Sequence, residues 1–166
     1  MDFNLDLDHA TSVFEVAAEV RHLARRSCRA DGATFVLRDG DFCFYVDEDA
    51  IAPLWKGQRF PIESCISGWA MLHAEPAVIA DIFTDERIPQ EAYRPTFVRS
   101  LLMMPVGLPT PLAAIGCYWS TNHQATIDEI AALEALAVRT AEALDRVGVD
   151  DAPWAPNFGL PRPHPA

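Results

Sequence analysis

Residues 57–72 read GQRFPIESCISGWAML, followed by AVIADIFTDERIP at 77–89, YRPTFVRSLLMMPVG at 93–107 and PLAAIGCYW at 111–119. The first run changes character midway. RFPI suits a short strand, whereas Ser64 can cap a helix running through Gly68, Trp69 and Leu72 to His73. Residues 77–80 are strand-like. Between Asp81 and Phe97 the pattern breaks into a loop and one short helix, with Pro89 suited to its first turn and Pro95 to its end. Ser100 to Val106 and Leu112 to Ser120 read as two long strands around the turn-forming Gly107-Leu108-Pro109-Thr110-Pro111. Met103 and Met104, adjacent on a strand, point to opposite faces and are expected in the core.

Working outward, ATFVLR at 33–38 and DFCFYV at 41–46 flank Asp39-Gly40, the signature of a tight hairpin. Upstream, Ser12 and Glu15 have capping-box spacing, and Val13, Val16, Ala17, Val20, Leu23 and Ala24 recur at helical period. Phe14 falls at the edge of the polar arc, where it either folds over the helix start or faces a partner. The segment from Ile51 to Arg59 has no clear period. Downstream, Thr126 and Glu129 repeat the capping box before Ile127, Ile130, Leu133, Leu136, Ala137, Ala141, Leu144 and Val147. That apolar arc is about 150° wide against the roughly 100° needed to cover one surface, which predicts contact with both a sheet and another helix. Beyond Gly148, five prolines fall in the last fourteen residues, and this tail is expected to be disordered despite Trp154 and Phe158.

The 166 residues suit one domain with one core. No run approaches the roughly 20 apolar residues of a membrane span. The opening MDFNLDLD is acidic where a secretory signal is basic, so a cytoplasmic location is expected. A net charge of −11 argues against nucleic acid and anionic membranes as partners. Arg21, Arg25, Arg26 and Arg29 fall on one side of a helix and read as a solvated face. Cys28, Cys43, Cys65 and Cys117 show no metal-ligand spacing, so neither a zinc site nor a catalytic residue is legible. Cys43 and Cys117 both lie in predicted strands, which allows them to be neighbours in a sheet as reduced thiols.

CISGWAM, IADIFTDERIP, YRPTFVRSLLMMPV and IGCYW together resemble GAF domains of bacterial sensor histidine kinases and related signalling proteins. The resemblance covers about residues 12–147, leaving 1–11 as an N-terminal lead and 148–166 as the tail. It implies an α+β fold: a GAF-like central antiparallel sheet with the N- and C-terminal helices on one face and a loop- and helix-covered pocket on the other. It also implies a sensory or regulatory module, binding a small molecule or mediating dimerisation without catalysis. The expected partners are a second copy and a histidine kinase or other signalling protein.

In the family, ligands bind between the sheet and the segment that here spans Ile82 to Phe97. The candidate ligand-binding residues are Asp81, Tyr93, Arg94 and Arg99, with Trp69 and Phe97 lining the cavity. The alternative for the charged ones is a loop-stabilising pair, such as Asp81 or Asp85 with Arg94. The cofactor is left unknown. Family members that attach a bilin do so through cysteine, and none lies between Cys65 and Cys117; noncovalent haem or bilin binding stays open. The Asn-Lys-Phe-Asp-Glu signature of cyclic-nucleotide binders is absent. The enzyme alternative is a free methionine sulfoxide reductase, but there the cysteine preceding the helix glycine is replaced here by Ser67, and serine cannot carry sulfur redox chemistry. A third alternative is an interaction domain whose cavity is filled by its own side chains.

Overall fold

The computed structural model describes residues 7–149; the expected lead up to residue 6 and the tail from 150 lie outside them. Six strands form one antiparallel sheet in the order β3-β2-β1-β6-β5-β4. They are β1 (Gly32–Asp39), β2 (Phe42–Ala50), β3 (Arg59–Pro61), β4 (Ala77–Ile79), β5 (Ser100–Val106) and β6 (Ala113–Trp119). Every residue of β5 and β6 is buried. Both faces of the sheet are covered, so these strands carry unbroken apolar runs rather than the alternation of a half-exposed sheet.

Two helices cover one face, α1 (Val13–Ser27) and, at the C-terminal end of the described chain, a helix spanning Ile127–Val147. They bury Val16, Val20, Leu23, Leu133, Leu136 and Leu144 against Phe35, Leu37, Phe44, Leu102, Met104 and Ile115. The C-terminal helix contacts α1, β5 and β6, as its wide apolar arc requires. Leu7 and Ala10 join this core, and the Arg146 guanidinium holds both of their carbonyls.

The caps differ in detail. Thr126 and Glu129 form a complete capping box. Ser12 accepts the Glu15 N–H at 3.2 Å, but the Glu15 carboxylate reaches back to the N–H and hydroxyl of Thr11 instead of to Ser12. In the hairpin Asp39 still pairs with Phe42, so the turn is Gly40-Asp41, with Gly40 at φ +62.

The other face of the sheet is covered by α2 (Ile66–His73), by α3 (Gln90–Tyr93) and by the irregular chain around them. Ser64 does not cap α2. Residues Ile62–Ser64 form a 3-10 turn, which moves the N-cap to Cys65. Met103 packs on this side and Met104 among the helices, as adjacent strand residues must.

One irregularity decides what β2 presents to each side. The register slips between Phe35 and Val36, which pair with Asp47 and Tyr45, leaving Val46 as an extra residue. After this bulge Asp47 and Asp49 face α1. Arg21 meets Asp47 at 2.7 Å and Arg25 meets Asp49 at 2.6 Å, while Lys56 meets Asp47 at 3.0 Å. Two arginines read from the sequence as part of a solvated face are thus ion-paired to the sheet; Arg26 and Arg29 are exposed. Burial works against ionisation of Asp47, but the Arg21 and Lys56 hydrogen bonds keep its carboxyl below the usual aspartate value.

Candidate functional site

The bulge also turns Glu48 to the opposite face, towards the irregular segment that follows β2. Its carboxylate accepts the backbone N–H groups of Leu54, Trp55 and Lys56, each at 2.8 Å. This hook draws residues 54–56 over the sheet and buries Trp55, which is only 5% exposed. The indole packs against Tyr93, Tyr118 and Tyr45 at ring separations of 4.7, 5.5 and 5.6 Å. Its Nε1–H donates to the Ala92 carbonyl at 3.1 Å, fastening sheet and roof together. Replacing Glu48 by glutamine keeps the shape but leaves one neutral acceptor oxygen for three donors. Urea unfolding should show a loss of about 1.5–3 kcal/mol, the scale of a charge-assisted hydrogen bond.

Between sheet and roof lies a cavity of about 10 Å³, lined by Trp55, Phe60, Cys65, Ala92 and Tyr93 among others, and a shallower concavity of about 280 Å³ runs along the outer side of Trp55, Phe60 and Ala92. The inner cavity has room for about one water. The polar groups around it are mostly satisfied. The Tyr118 hydroxyl lies 2.9 Å from Thr34 Oγ1, across Gly116, where a Cβ would come within 2.5 Å of the phenol oxygen. Tyr45 Oη lies 3.0 Å from Ser67 Oγ, and Ser67 donates to Cys65 Sγ at 3.4 Å. Ser67 has one proton to give, so Tyr45 is the donor in their bond. Tyr93 differs: it is 3% exposed, and among the described residues its hydroxyl has no partner. Burial pushes all three phenols above the ordinary tyrosine value, which keeps them neutral.

The cysteines are placed differently from the sequence expectation. Cys43 and Cys117 lie on opposite faces of the sheet. Cys117 donates to the Ala24 carbonyl at 3.5 Å and Cys28 to the Glu129 carbonyl at 3.9 Å among the helices, while Cys65 donates to the Pro61 carbonyl at 3.6 Å on the other side. The neighbouring Cys43 thiol holds the Cys65 thiol down to about 7 against the pull of burial, helped by Ser67 and the Gly68 N–H. The same neighbour, with burial, pushes Cys43 up.

Of the six candidate ligand residues, Tyr93 lines this cavity. Phe97 is half-buried with its ring edge against Gly32. Asp81 accepts the Phe83 N–H at 3.0 Å and so caps the 3-10 turn Ile82–Thr84. Arg94 is exposed, and Arg99 is exposed with its guanidinium 5.0 Å from the Phe83 ring centre. Trp69 is half-buried, stacked on His73 and with the Arg87 guanidinium 4.4 Å from its ring centre. Asp85 pairs with Arg87, not with Arg94. Sequence reasoning missed Trp55, Glu48, Tyr45 and Tyr118. Trp55 stands in the stretch without a period, and Glu48 looks like one more solvated acid in DED.

A second concavity, an apolar groove of about 400 Å³, lies on the helix side between the C-terminal helix and the chain around β4 and β5. Ala137, Ala141, Pro76 and Leu108 line it, together with Val138. Val138 is 57% and Leu108 67% exposed. No described helix is long and apolar enough to cross a membrane, and no group of described residues is placed to hold a metal ion.

The GAF domain model matches residues 14–144. No curated protein matches the chain in sequence. Among solved structures, the chain is similar to the GAF domain of an Acinetobacter phosphoenolpyruvate-protein phosphotransferase, with 10% identity over 87% of this chain and 89% of that one, at a TM-score of 0.75. It is also similar to the free methionine-R-sulfoxide reductase of Neisseria meningitidis in complex with its substrate, at 14% identity, 87% and 85% coverage and a TM-score of 0.72. The GAF domain of a two-component sensor histidine kinase from Bacillus halodurans shares 16% identity over 83% of this chain and 97% of that one, at a TM-score of 0.68. At such identities the likeness is one of fold.

Proposed function

The chain belongs to the GAF domain family, a regulatory and sensory fold of signalling proteins, and from that premise we propose a cytoplasmic module that binds a small molecule under the roof at Ile82 to Phe97 without transforming it. The observation that carries this reading is the Tyr93 hydroxyl, buried without a partner among the described residues, beside a tryptophan held in place from both ends. Leaving a buried hydroxyl unpaired costs about 1–3 kcal/mol. A ligand that lifts Trp55 and offers Tyr93 a polar atom recovers that cost and gains an aromatic-walled cavity. Phe97 and Trp69 would line the opened space, and Asp81, Arg94 and Arg99 would meet the ligand's polar groups at its rim. The reductase alternative needs a thiol where Ser67 stands bonded to Tyr45 and Cys65.

A thermal-shift screen against metabolites tests the ligand reading. At a hundredfold excess over its dissociation constant, a ligand adds about 2.7 kcal/mol, a rise in Tm on the order of 10 °C. Tyr93→Phe gives the complementary signature. Without the unpaired hydroxyl the free protein should hold or gain stability, while the shift caused by the ligand shrinks. A loss above about 1 kcal/mol on that substitution would mean that the hydroxyl is already satisfied, and the reading fails. A silent screen would favour the interaction domain with a filled cavity.

The exposed groove at Val138 and Leu108 favours a second role, pairing of two copies along their C-terminal helices or docking of a signalling partner such as a histidine kinase. Sedimentation of the wild type and of Val138→Asp tests it. A dimer that the substitution dissociates supports the role, and a wild type that is monomeric at high concentration removes the pairing.

A further inference from the structure

We propose that residues 154–160 of the same chain, led by Trp154 and Phe158, lie in the apolar groove beside the C-terminal helix and so set when that groove is open to a partner. Small residues make the groove. Ala74, Gly107, Ala137 and Ala141 leave about 400 Å³ between the helix and the chain around β4 and β5, room for a large aromatic side chain.

The way the helix ends directs the chain to it. Glu134, Val138, Ala141, Asp145 and Gly148 succeed one another at steps of three and four, so the helix ends on the groove's own face. Gly148 turns the chain at φ +82, and Val149 packs half-buried against the helix-side core instead of running on into water. From Val147 back to Val138 is about 14 Å along the helix axis, at about 1.5 Å per residue. From Val149 to Trp154 is about 16 Å in the extended form that prolines favour. Trp154 therefore reaches Val138, and Phe158 has chain to spare.

The sequence of the segment suits the groove in charge as well. Residues 152–166 carry Arg162 and His164 and no acid, whereas Glu134 and Glu142 edge the groove. Glu142 pairs with Arg139 at 3.2 Å, and Glu134 is exposed with no ion pair among the described residues. A second copy laid on the same face brings the same acids against themselves, on a chain of net charge −11. Prolines at 153, 156, 161, 163 and 165 restrict the free segment, which lowers the entropy lost on docking. The tether adds an effective concentration in roughly the millimolar range, so contacts too weak to hold separate molecules are populated within one chain. Docked, the segment excludes a partner; released, it uncovers Val138 and Leu108.

The test uses the full chain with Trp154 replaced by the photoreactive p-benzoylphenylalanine. Unlabelled and isotopically heavy chains are mixed, irradiated and mapped by peptide mass spectrometry. The expected cross-links join position 154 to residues 104–108 or 134–142 of the same chain. Val138 is exposed, so Val138→Asp leaves the fold intact, checked by an unchanged far-UV spectrum, while its charge should cut that yield at least about tenfold. Arg162→Glu should also lower the yield, and more at low salt than at high salt. Phe83, 57% exposed like Val138 but on the roof side, is the control surface. The proposal is overturned if cross-links at the groove are no more frequent than around Phe83, if Val138→Asp leaves them unchanged, or if they join light to heavy chains, which gives the groove to a second copy. It stands apart from the pairing of copies. A wild type that sediments as a monomer while cross-linking within one chain removes the pairing alone, and a dimer without such cross-links removes only this proposal.

Discussion

Trp55→Ala should lower stability by about 3–5 kcal/mol, the range for deleting a buried large aromatic, and lower Tm by 10 °C or more. The size follows from what the indole does. It contacts three tyrosines from β2, β6 and α3 and contributes the hydrogen bond that ties the sheet to the Ala92 carbonyl. Losing it leaves that carbonyl to water and opens a space walled by Tyr45, Tyr118 and Tyr93. The Glu48 carboxylate still holds the backbone of residues 54–56, so the roof cannot collapse fully into the hole. Incomplete collapse is the condition for a large cavity penalty. Indole added to the variant should therefore restore part of the lost stability, measured by calorimetry with and without the compound. A loss below about 1 kcal/mol would show that Trp55 only leans on the roof, and the ligand reading would lose its gate.

The elements legible in the sequence were those whose residues obey one rule at a time. Thr126 and Glu129 cap the last helix as spaced, and β5 and β6 are long apolar strands. The site was less legible because its parts depend on irregularities no local pattern encodes. One extra residue at Val46 exchanges the faces of Asp47 and Glu48, converting an apparent solvated DED into two ion-paired aspartates and a loop anchor. A 3-10 turn moves the α2 cap by one residue and sets Cys65 rather than Ser64 at the helix start. Strand membership suggested Cys43 with Cys117, but their faces are opposite, and Cys117 donates instead to the Ala24 carbonyl of α1. Tyr93 was legible because it belongs to the roof itself.

The same 3-10 turn explains why α2 begins with glycine in its first turns. A Cβ at Gly68 would stand 1.7 Å from the Ile62 carbonyl oxygen, 2.6 Å from its carbon and 2.9 Å from Ile62 Cα. These are backbone atoms, so no rotamer change relieves the clash. Helix and turn must separate. That displaces the Cys65 and Ser67 side chains from Tyr45 and with them the floor of the cavity. Gly68→Ala gains about 1 kcal/mol of helix propensity, yet the net result should be a loss above about 3 kcal/mol, at the severe end for single substitutions. Gly40→Ala is the control: its Cβ meets nothing within 4 Å, and φ +62 alone should cost about 1–2 kcal/mol. Urea unfolding of both variants separates steric exclusion from backbone strain. If Gly68→Ala proves no worse than Gly40→Ala, α2 can move away from Ile62 at little cost, and the close packing that places Cys65 and Ser67 beneath Tyr45 does not constrain the fold.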